Sequence, residues 1–405
     1  MQLFSRIDTN RVFLLDSEEA RFRLAYEEAT KEAKDSDGQV QIVAASSKDP
    51  ETVGRILGLL ESEVPFLLSS DEWSDATRNE VTRLRGVNPG KGTIIFKTGG
   101  SSGIPRFAVH DQRSLGAAAV SVWNYLENRP LCSRLDLPLY HVSGMMPVFR
   151  ALVSDGVLIS DGSQEASCEI PGLFLQSVVP TTLERTLRTA PSGSNPFPAD
   201  IVFGGGASFD HQLLREAKRR GIPLRLVYGM TETGGMVGIQ TKDAWESERF
   251  GELSMLPGNK VDVTAGKEIT IQSPQLFRGY WGEEEHQGLF RTGDAGELID
   301  GRSFTVHGRI GRFVSSGGET ISLAKVEDAA RKLQGVRDAV AIGMPDEEWG
   351  TRITLLVELE VLQNREIRNE LRASLDSFEL PQEVRAVKVI PRNAVGKVDL
   401  DQIFG

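Results

Sequence analysis

IVFGGGASFDHQLLREAKRRGIPLRLVYG, residues 201–229, is the stretch that decides the fold. A short apolar run ends in Gly204-Gly205-Gly206, Ser208 stands where a helix N-cap belongs, and LLREAKRR follows with helical spacing. Gly221 supplies the C-terminal stop, and PLRLVYG is a second apolar run. This is a strand–helix–strand unit, and helices placed between apolar strands imply a parallel sheet covered by those helices.

Working outward, residues 40–68 repeat the rhythm: QIVAAS, a polar stretch opening at Lys48-Asp49-Pro50, ETVGRILGLLES as helix, then PFLLSS. DQRSLGAAAVSVWNYLEN reads as a helix capped by Asp111, with Leu115, Ala118, Val122 and Leu126 on one apolar stripe. From about residue 251 the helical spacing stops, and KVDVTA, KEITIQS and SFTVHG alternate with glycine turns, which predicts a β-rich subdomain. After Gly308 the character changes again, with LAKVEDAARKL and NREIRNELRASLDSF as helices and DAVAIGM and RITLLVELE as strands. The expected fold class is α/β, a large domain of helix-covered sheets with a small β subdomain, followed by a small α+β domain.

Bulk properties narrow the partners. At 405 residues the chain exceeds the usual span of one core, and 40% hydrophobic with 25% charged residues is an ordinary globular composition. A formal net charge of -11 repels nucleic acid and anionic lipid, so any anionic ligand needs a local cradle. Two cysteines, Cys132 and Cys168, build neither a disulfide framework nor a zinc site. With no signal-like start and no apolar run of about 18 residues, a reduced cytoplasmic protein without membrane insertion is expected.

The sharpest local feature is TIIFKTGGSSGIPR at 93–106. An apolar strand runs into Thr98-Gly99-Gly100-Ser101-Ser102-Gly103 and then reaches Arg106, which gives close backbone approach, hydroxyl donors and a cation, the materials of a phosphate clamp. No Gly-Lys-Ser/Thr follows, so this is not a Walker loop. Glycine and serine alone would equally make a surface turn.

The segment resembles the phosphate-binding loop of the acyl-adenylate-forming superfamily. VYGMTETGG (227–235) is similar to that family's adenine and magnesium motif, FRTGDAGEL (290–298) to its ribose motif, GRIGR (308–312) to its hinge, and PRNAVGKVDL (391–400) to its lysine loop. Each alone has an ordinary reading as a turn or a solvated charge, but all five occur in family order. The resemblance implies ATP and Mg2+ as cofactors and coenzyme A as co-substrate. It also implies an N-terminal adenylate-forming domain over 1–308, with 251–308 its β-rich part, and a mobile C-terminal lid over 309–405.

Carried over by position, the resemblance implies that Tyr228 and Gly229 meet adenine, Thr231 the α-phosphate and Glu232 the magnesium ion. The loop residues 98–103 with Arg106 would take the phosphates, Gly204-Gly205-Gly206 would lie against the nucleotide, and Asp294 with Arg309 would hold the ribose. Lys397 is the implied catalytic lysine, because attack of a carboxylate on the α-phosphorus concentrates charge that an ammonium offsets. Three positions depart from the pattern. Gly99 replaces a usual serine, Arg106 a usual lysine, and the hinge residue is Gly311, which keeps flexibility and loses a polar anchor. About 90 residues precede the loop, so part of the family's first subdomain is expected to be missing.

For the acid, LPLYHVSGMMPVFRALVSDGVLI (137–159), SVVPTTLERTL (177–187) and Ser316-Gly317-Gly318-Glu319 resemble the o-succinylbenzoate-CoA ligase branch, which serves menaquinone or phylloquinone biosynthesis. The resemblance implies that His141 gates the reacting carboxylate, Ser143 hydrogen-bonds it, and Arg150 pairs with the carboxylate that is not activated. A fatty-acid pocket would leave such an arginine buried without a counter-charge. Two further readings stay open at this point. One is another aryl- or acyl-CoA ligase or a stand-alone adenylation domain, and the other is a non-catalytic module that binds nucleotide or acyl-adenylate. Oligomeric state is not legible.

Overall fold

The structure, a computed structural model, describes residues 12–13, 16–35, 39–45, 48–71, 73, 75–98, 105–160, 170–207, 209, 211–310, 313–316, 319–346, 350–359, 366–375 and 379–390. Contacts divide the chain into two units, the first being 1–262, 270–290 and 299–304, the second 263–269, 291–298 and 305–405.

In chain order the elements begin α1 (Asp16–Glu32), β1 (Gln41–Ala44), α2 (Pro50–Glu61), β2 (Phe66–Ser69), α3 (Asp75–Leu84), β3 (Thr93–Lys97), β4 (Phe107–Asp111), α4 (Gln112–Tyr125) and β5 (Leu131–Arg134). There follow α5 (Val142–Ser154), β6 (Leu158–Ile159), β7 (Leu173–Val178), α6 (Pro180–Thr189), β8 (Ile201–Gly204), α7 (His211–Arg219), β9 (Leu224–Met230), β10 (Gly235–Ile239), α8 (Lys242–Glu246) and β11 (Glu252–Met255). The β-rich stretch holds β12 (Lys260–Val263), β13 (Glu268–Gln272), β14 (Gly279–Tyr280), β15 (Phe290–Leu298) and β16 (Ser303–Arg309). Last come β17 (Phe313–Ser316), β18 (Glu319–Ser322), α9 (Leu323–Arg331), β19 (Val336–Asp346), β20 (Gly350–Leu359), α10 (Ile367–Leu371) and β21 (Glu383–Val387).

Two sheets organise the first unit. One has the order β1-β2-β3-β4-β14, with β1, β2 and β3 parallel and β4 and β14 antiparallel. In the other, β6-β5-β7-β8-β9 run parallel, and β10 and β11 continue it antiparallel. Local chemistry sets the helices. Asp49 caps α2 by accepting from the Thr52 amide at 2.7 Å, with Pro50 at the first helical position. At α4, Asp111 accepts from the Ser114 amide at 2.9 Å while the Asp111 amide donates to the Ser114 hydroxyl at 3.1 Å. The α4 stripe is buried throughout, Leu115, Ala118, Val122 and Leu126 alike. Gly221 ends the α7 turn at φ +69°, a conformation that L side chains rarely adopt.

The second unit has its own core. Strands β19 and β20 pair antiparallel, β20 and β21 parallel, and Leu323, Val326 and Ala330 of α9 join Ile353, Leu355 and Val357 in one apolar cluster. The sequence predicts a long helix over 364–378, but the helix is Ile367–Leu371 and turns follow it. There the Ser374 hydroxyl reaches the Leu371 carbonyl at 3.4 Å, the local competition that makes serine a poor helix continuer. Among the described residues no helix is long and apolar enough to cross a membrane. Cys132 is a buried free thiol.

Candidate active site

The site in the first unit is built around the turn between β9 and β10. Parallel α/β sheets bind ligands beyond the carboxyl ends of their strands; β8 ends at Gly204, with Gly205 and Gly206 following, and β9 ends in Tyr228-Gly229-Met230. Tyr228 is half-buried, its ring edge-on to Phe304 at 5.8 Å between centroids. Thr231–Thr233 make a single 3-10 turn. A Cβ at Gly229 would lie 2.0 Å from the Gly235 carbonyl oxygen, so the hairpin closes only over glycine.

This turn is held from every side. The Thr233 hydroxyl accepts from the Met230 amide at 2.9 Å and donates to the Gly235 carbonyl at 2.6 Å. The Gln275 side-chain amide donates to the Thr233 and Met236 carbonyls at 2.7 and 3.1 Å, and the Phe277 amide donates to the Glu232 carbonyl at 2.9 Å. His110, fully buried, places Nε2 2.7 Å from the Thr231 carbonyl and Nδ1 2.9 Å from the Ser114 hydroxyl. A carbonyl only accepts, so Nε2 carries the proton. Burial lowers this imidazole to about 4, against the opposing pull of its bond to Thr231, and it is neutral at pH 7. The Glu232 carboxylate accepts from the Tyr280 hydroxyl at 2.8 Å. Burial first, then the Glu232 charge, raises the Tyr280 pKa and keeps that hydroxyl a donor.

Strand β3 leads into the glycine–serine motif. Thr98 at its base is buried, and its amide donates to the Arg106 carbonyl at 2.9 Å. Gly99, Gly100, Ser101, Ser102 and Gly103 lie outside the described residues. Arg106 stacks its guanidinium 3.4 Å from the Tyr280 ring centroid. Lys97 sits just before the loop, its ammonium 5.9 Å from the Trp73 ring centroid, and partial burial lowers its pKa.

Helix α5 carries the acid-side residues. His141 occupies its N-cap position without a side-chain cap bond, its ring 4.4 Å from that of Tyr140, and Ser143 is exposed in the first turn. The residue is solvent-exposed, yet partial burial of its imidazole followed by the positive charge of Lys97 lowers its pKa. Arg150 is 2% exposed. Among the described residues its Nε and one terminal nitrogen have no hydrogen-bond partner, and its guanidinium carbon lies 5.3 Å from the Phe203 ring centroid, on the strand that runs into the three glycines. Burial pushes its pKa down to about 10, so it stays charged at pH 7 in a place where charge is costly. Helix α5 meets the turn directly, since a Cβ on Gly235 would come within 3.3 Å of Met146 Cγ. The acid-side helix and the β9–β10 turn are thus neighbours.

In the second unit, Asp294 is buried and pairs with Arg309, carboxylate oxygen to Nε at 3.1 Å, while a terminal nitrogen of Arg309 donates to the Thr292 carbonyl at 2.6 Å. The hinge Gly311, the lysine Lys397 and the cap Ser208 lie outside the described residues.

The sequence reading missed Lys97, His110, Gln275 and Tyr280. Lys97 had a signal, its place next to the loop, and His110 interrupts an apolar strand in FAVHD. Gln275 and Tyr280 sit in SPQLFRGYW, where no periodicity separates a site residue from a loop residue.

Among the described residues no three His, Cys, Asp or Glu side chains gather as a metal cage. The Glu232 carboxylate still suits Mg2+, which is usually bound through one or two carboxylates together with substrate phosphates and water.

Known proteins resemble this chain in sequence and in fold. The AMP-binding enzyme family matches residues 9–281, and the AMP-binding enzyme C-terminal domain matches 325–397. A 2-succinylbenzoate–CoA ligase of Listeria monocytogenes serotype 4b (strain F2365) is 26% identical over 326 residues, 76% of this chain and 69% of that one. An indoleacetate–CoA ligase of Aromatoleum aromaticum is 27% identical over 369 residues, 83% of this chain and 71% of that one. The o-succinylbenzoate CoA synthetase of Bacillus subtilis, solved with its acyl-adenylate intermediate, shares the fold at TM-score 0.78 and 19% identity, covering 100% of this chain and 98% of that one. With two family matches in chain order and the turn and acid-side helix neighbours within one unit, the chain belongs to the AMP-binding enzyme family, within the acyl-adenylate-forming superfamily.

Proposed function

We propose that this protein is an ATP-dependent acid–thiol ligase that converts o-succinylbenzoate to o-succinylbenzoyl-CoA through the acyl-AMP, a product for menaquinone or phylloquinone biosynthesis. In the first half-reaction a carboxylate oxygen attacks the α-phosphorus, the bond to the bridging β-phosphate oxygen breaks, and pyrophosphate leaves. In the second, the coenzyme A sulfur attacks the acyl carbon, its thiol proton is lost, and AMP leaves.

Within this reading Tyr228 and Gly229 face the adenine, Thr231 the α-phosphate, and Asp294 with Arg309 the ribose. Residues 98–103 and Arg106 take the outer phosphates, and Gly204–Gly206 leave room for the nucleotide along the strand ends. Glu232 would hold Mg2+, which when bound neutralises phosphate charge. Lys397, on a C-terminal lid over 309–405 that turns about Gly311, offsets the charge that builds on the α-phosphate. His141 and Ser143 receive the reacting carboxylate at the start of α5.

The observation that carries the substrate assignment is Arg150, buried at 2% exposure with two guanidinium nitrogens unpartnered. A charge enclosed without a counter-ion is destabilising unless a ligand supplies one, and a second carboxylate on the acid does so bidentately. A monoacid leaves it unmatched. The test is thioester formation from ATP, coenzyme A and a panel of o-succinylbenzoate, malonate, benzoate, indoleacetate and a fatty acid. The assignment predicts the highest kcat/KM for o-succinylbenzoate. Turnover of indoleacetate or a fatty acid with none of either diacid would sink it, and preference for malonate would keep the role of Arg150 but change the acid.

A further inference from the structure

The hairpin that follows β14 does something the reaction alone does not require. Tyr280 pairs with Ala108 across the antiparallel β14–β4 ladder, which brings it beside Arg106 at the foot of the loop. The Glu283 amide donates to the Tyr280 carbonyl at 2.9 Å, and the His286 amide donates to the Arg278 carbonyl at 2.6 Å, so a tight turn fixes Glu283 relative to Tyr280. Glu283 then grips Arg106 with both carboxylate oxygens, at 3.1 Å from Nε and 2.6 Å from a terminal nitrogen. One aromatic residue thus carries the loop cation on its face and the Glu232 carboxylate on its hydroxyl.

We infer that Tyr280 and Glu283 are positioning residues for the metal–triphosphate. Tyr280 holds the Glu232 carboxylate in its metal-binding orientation, and Glu283 is a resting counter-ion that occupies Arg106 until a polyphosphate displaces it. This rests on the adenylating function proposed above. A single carboxylate is a suitable placeholder. It satisfies the bidentate fork of Arg106 and keeps the guanidinium on the ring, yet with the side chains of Arg106 and Glu283 at 39% and 52% exposure the pair is weak enough for a more highly charged ligand to replace. Arg106 is pre-oriented and pays less ordering entropy when the phosphates arrive.

Calorimetric binding of ATP, with and without Mg2+, to the full chain tests both roles without turnover. For Tyr280→Phe, which keeps the ring under Arg106, ATP affinity without metal is expected to stay unchanged, while the gain in affinity on adding Mg2+ shrinks about tenfold, the scale of one hydrogen bond to a charged group. For Glu283→Gln, affinity without metal is expected to rise about two- to fivefold and its salt dependence to change, as loss of an exposed ion pair allows. An unaltered Mg2+ gain in Tyr280→Phe overturns the anchoring role. Unaltered metal-free affinity in Glu283→Gln overturns the placeholder role. If the unmodified chain binds no ATP in either condition, the adenylating function itself falls and this inference goes with it.

Discussion

Replacing Arg150 with methionine separates substrate recognition from structural support, because the two predict opposite changes in stability. Burial pulls this guanidinium well below its ordinary range, to about 10, a penalty of about 3 kcal/mol on its charged form. The contact with the Phe203 ring returns about 1–2 kcal/mol of that. Methionine has a similar length and no charge, so Arg150→Met is expected to be more stable than the unmodified chain by about 1–2 kcal/mol in urea unfolding. In thioester assays the same variant loses a charged contact to the second carboxylate, worth about 3 kcal/mol, so KM for the diacid should rise about a hundredfold. Activity on any monoacid that the chain accepts should not fall. A variant destabilised by 3 kcal/mol or more, as when one partner of a buried pair is removed, would show that Arg150 serves the fold, and an unchanged KM for o-succinylbenzoate would refute its role in recognition.

Two further predictions concern the β9–β10 turn. His110 is neutral when folded, with a pKa near 4 against 6.5 when unfolded, so its contribution is fully present above pH 6.5 and is lost as pH falls toward 4, where the unfolded chain alone binds the proton. The stability difference between the unmodified chain and His110→Gln, measured by urea unfolding at pH 7 and pH 5, should narrow by about 2 kcal/mol at the lower pH; a constant difference would contradict a buried neutral imidazole. Gly229→Ala drives a Cβ to 2.0 Å from the Gly235 carbonyl oxygen, whereas a Cβ at Gly221 meets nothing within 4 Å and carries only the strain of φ +69°. Gly221→Ala should therefore cost about 1 kcal/mol and keep ATP binding, while Gly229→Ala costs several and abolishes it. Equal behaviour of the two variants would mean the hairpin is looser than the geometry shows.

Local chemistry was enough to read the scaffold. The strand–helix–strand rhythm at 201–229 and 40–68, the cap at Asp111, the stop at Gly221 and the stripe on α4 all depend on neighbours within a few residues, and all appear as read. Thr98 and Arg106 stand in a short stretch whose composition is unusual, whereas Glu232 and Arg150 were singled out only through the resemblance of their motifs to a known family. The helix expected over 364–378 came out shorter, because an amphipathic pattern does not register the point at which a turn stops the helix.

Only the tertiary structure decided how those residues are held and which of them lack a partner. His110 reaches Thr231 across 121 positions and Tyr280 reaches Glu232 across 48, distances over which no periodicity carries information. That Arg150 of helix α5 is enclosed beside Phe203 of strand β8, with nitrogens unpaired among the described residues, is a fact about what is missing around a side chain. The physical division is one of range. Backbone propensity and capping act within a turn or two of the chain, whereas burial, charge compensation and close approach depend on which distant segments the sheet order brings side by side.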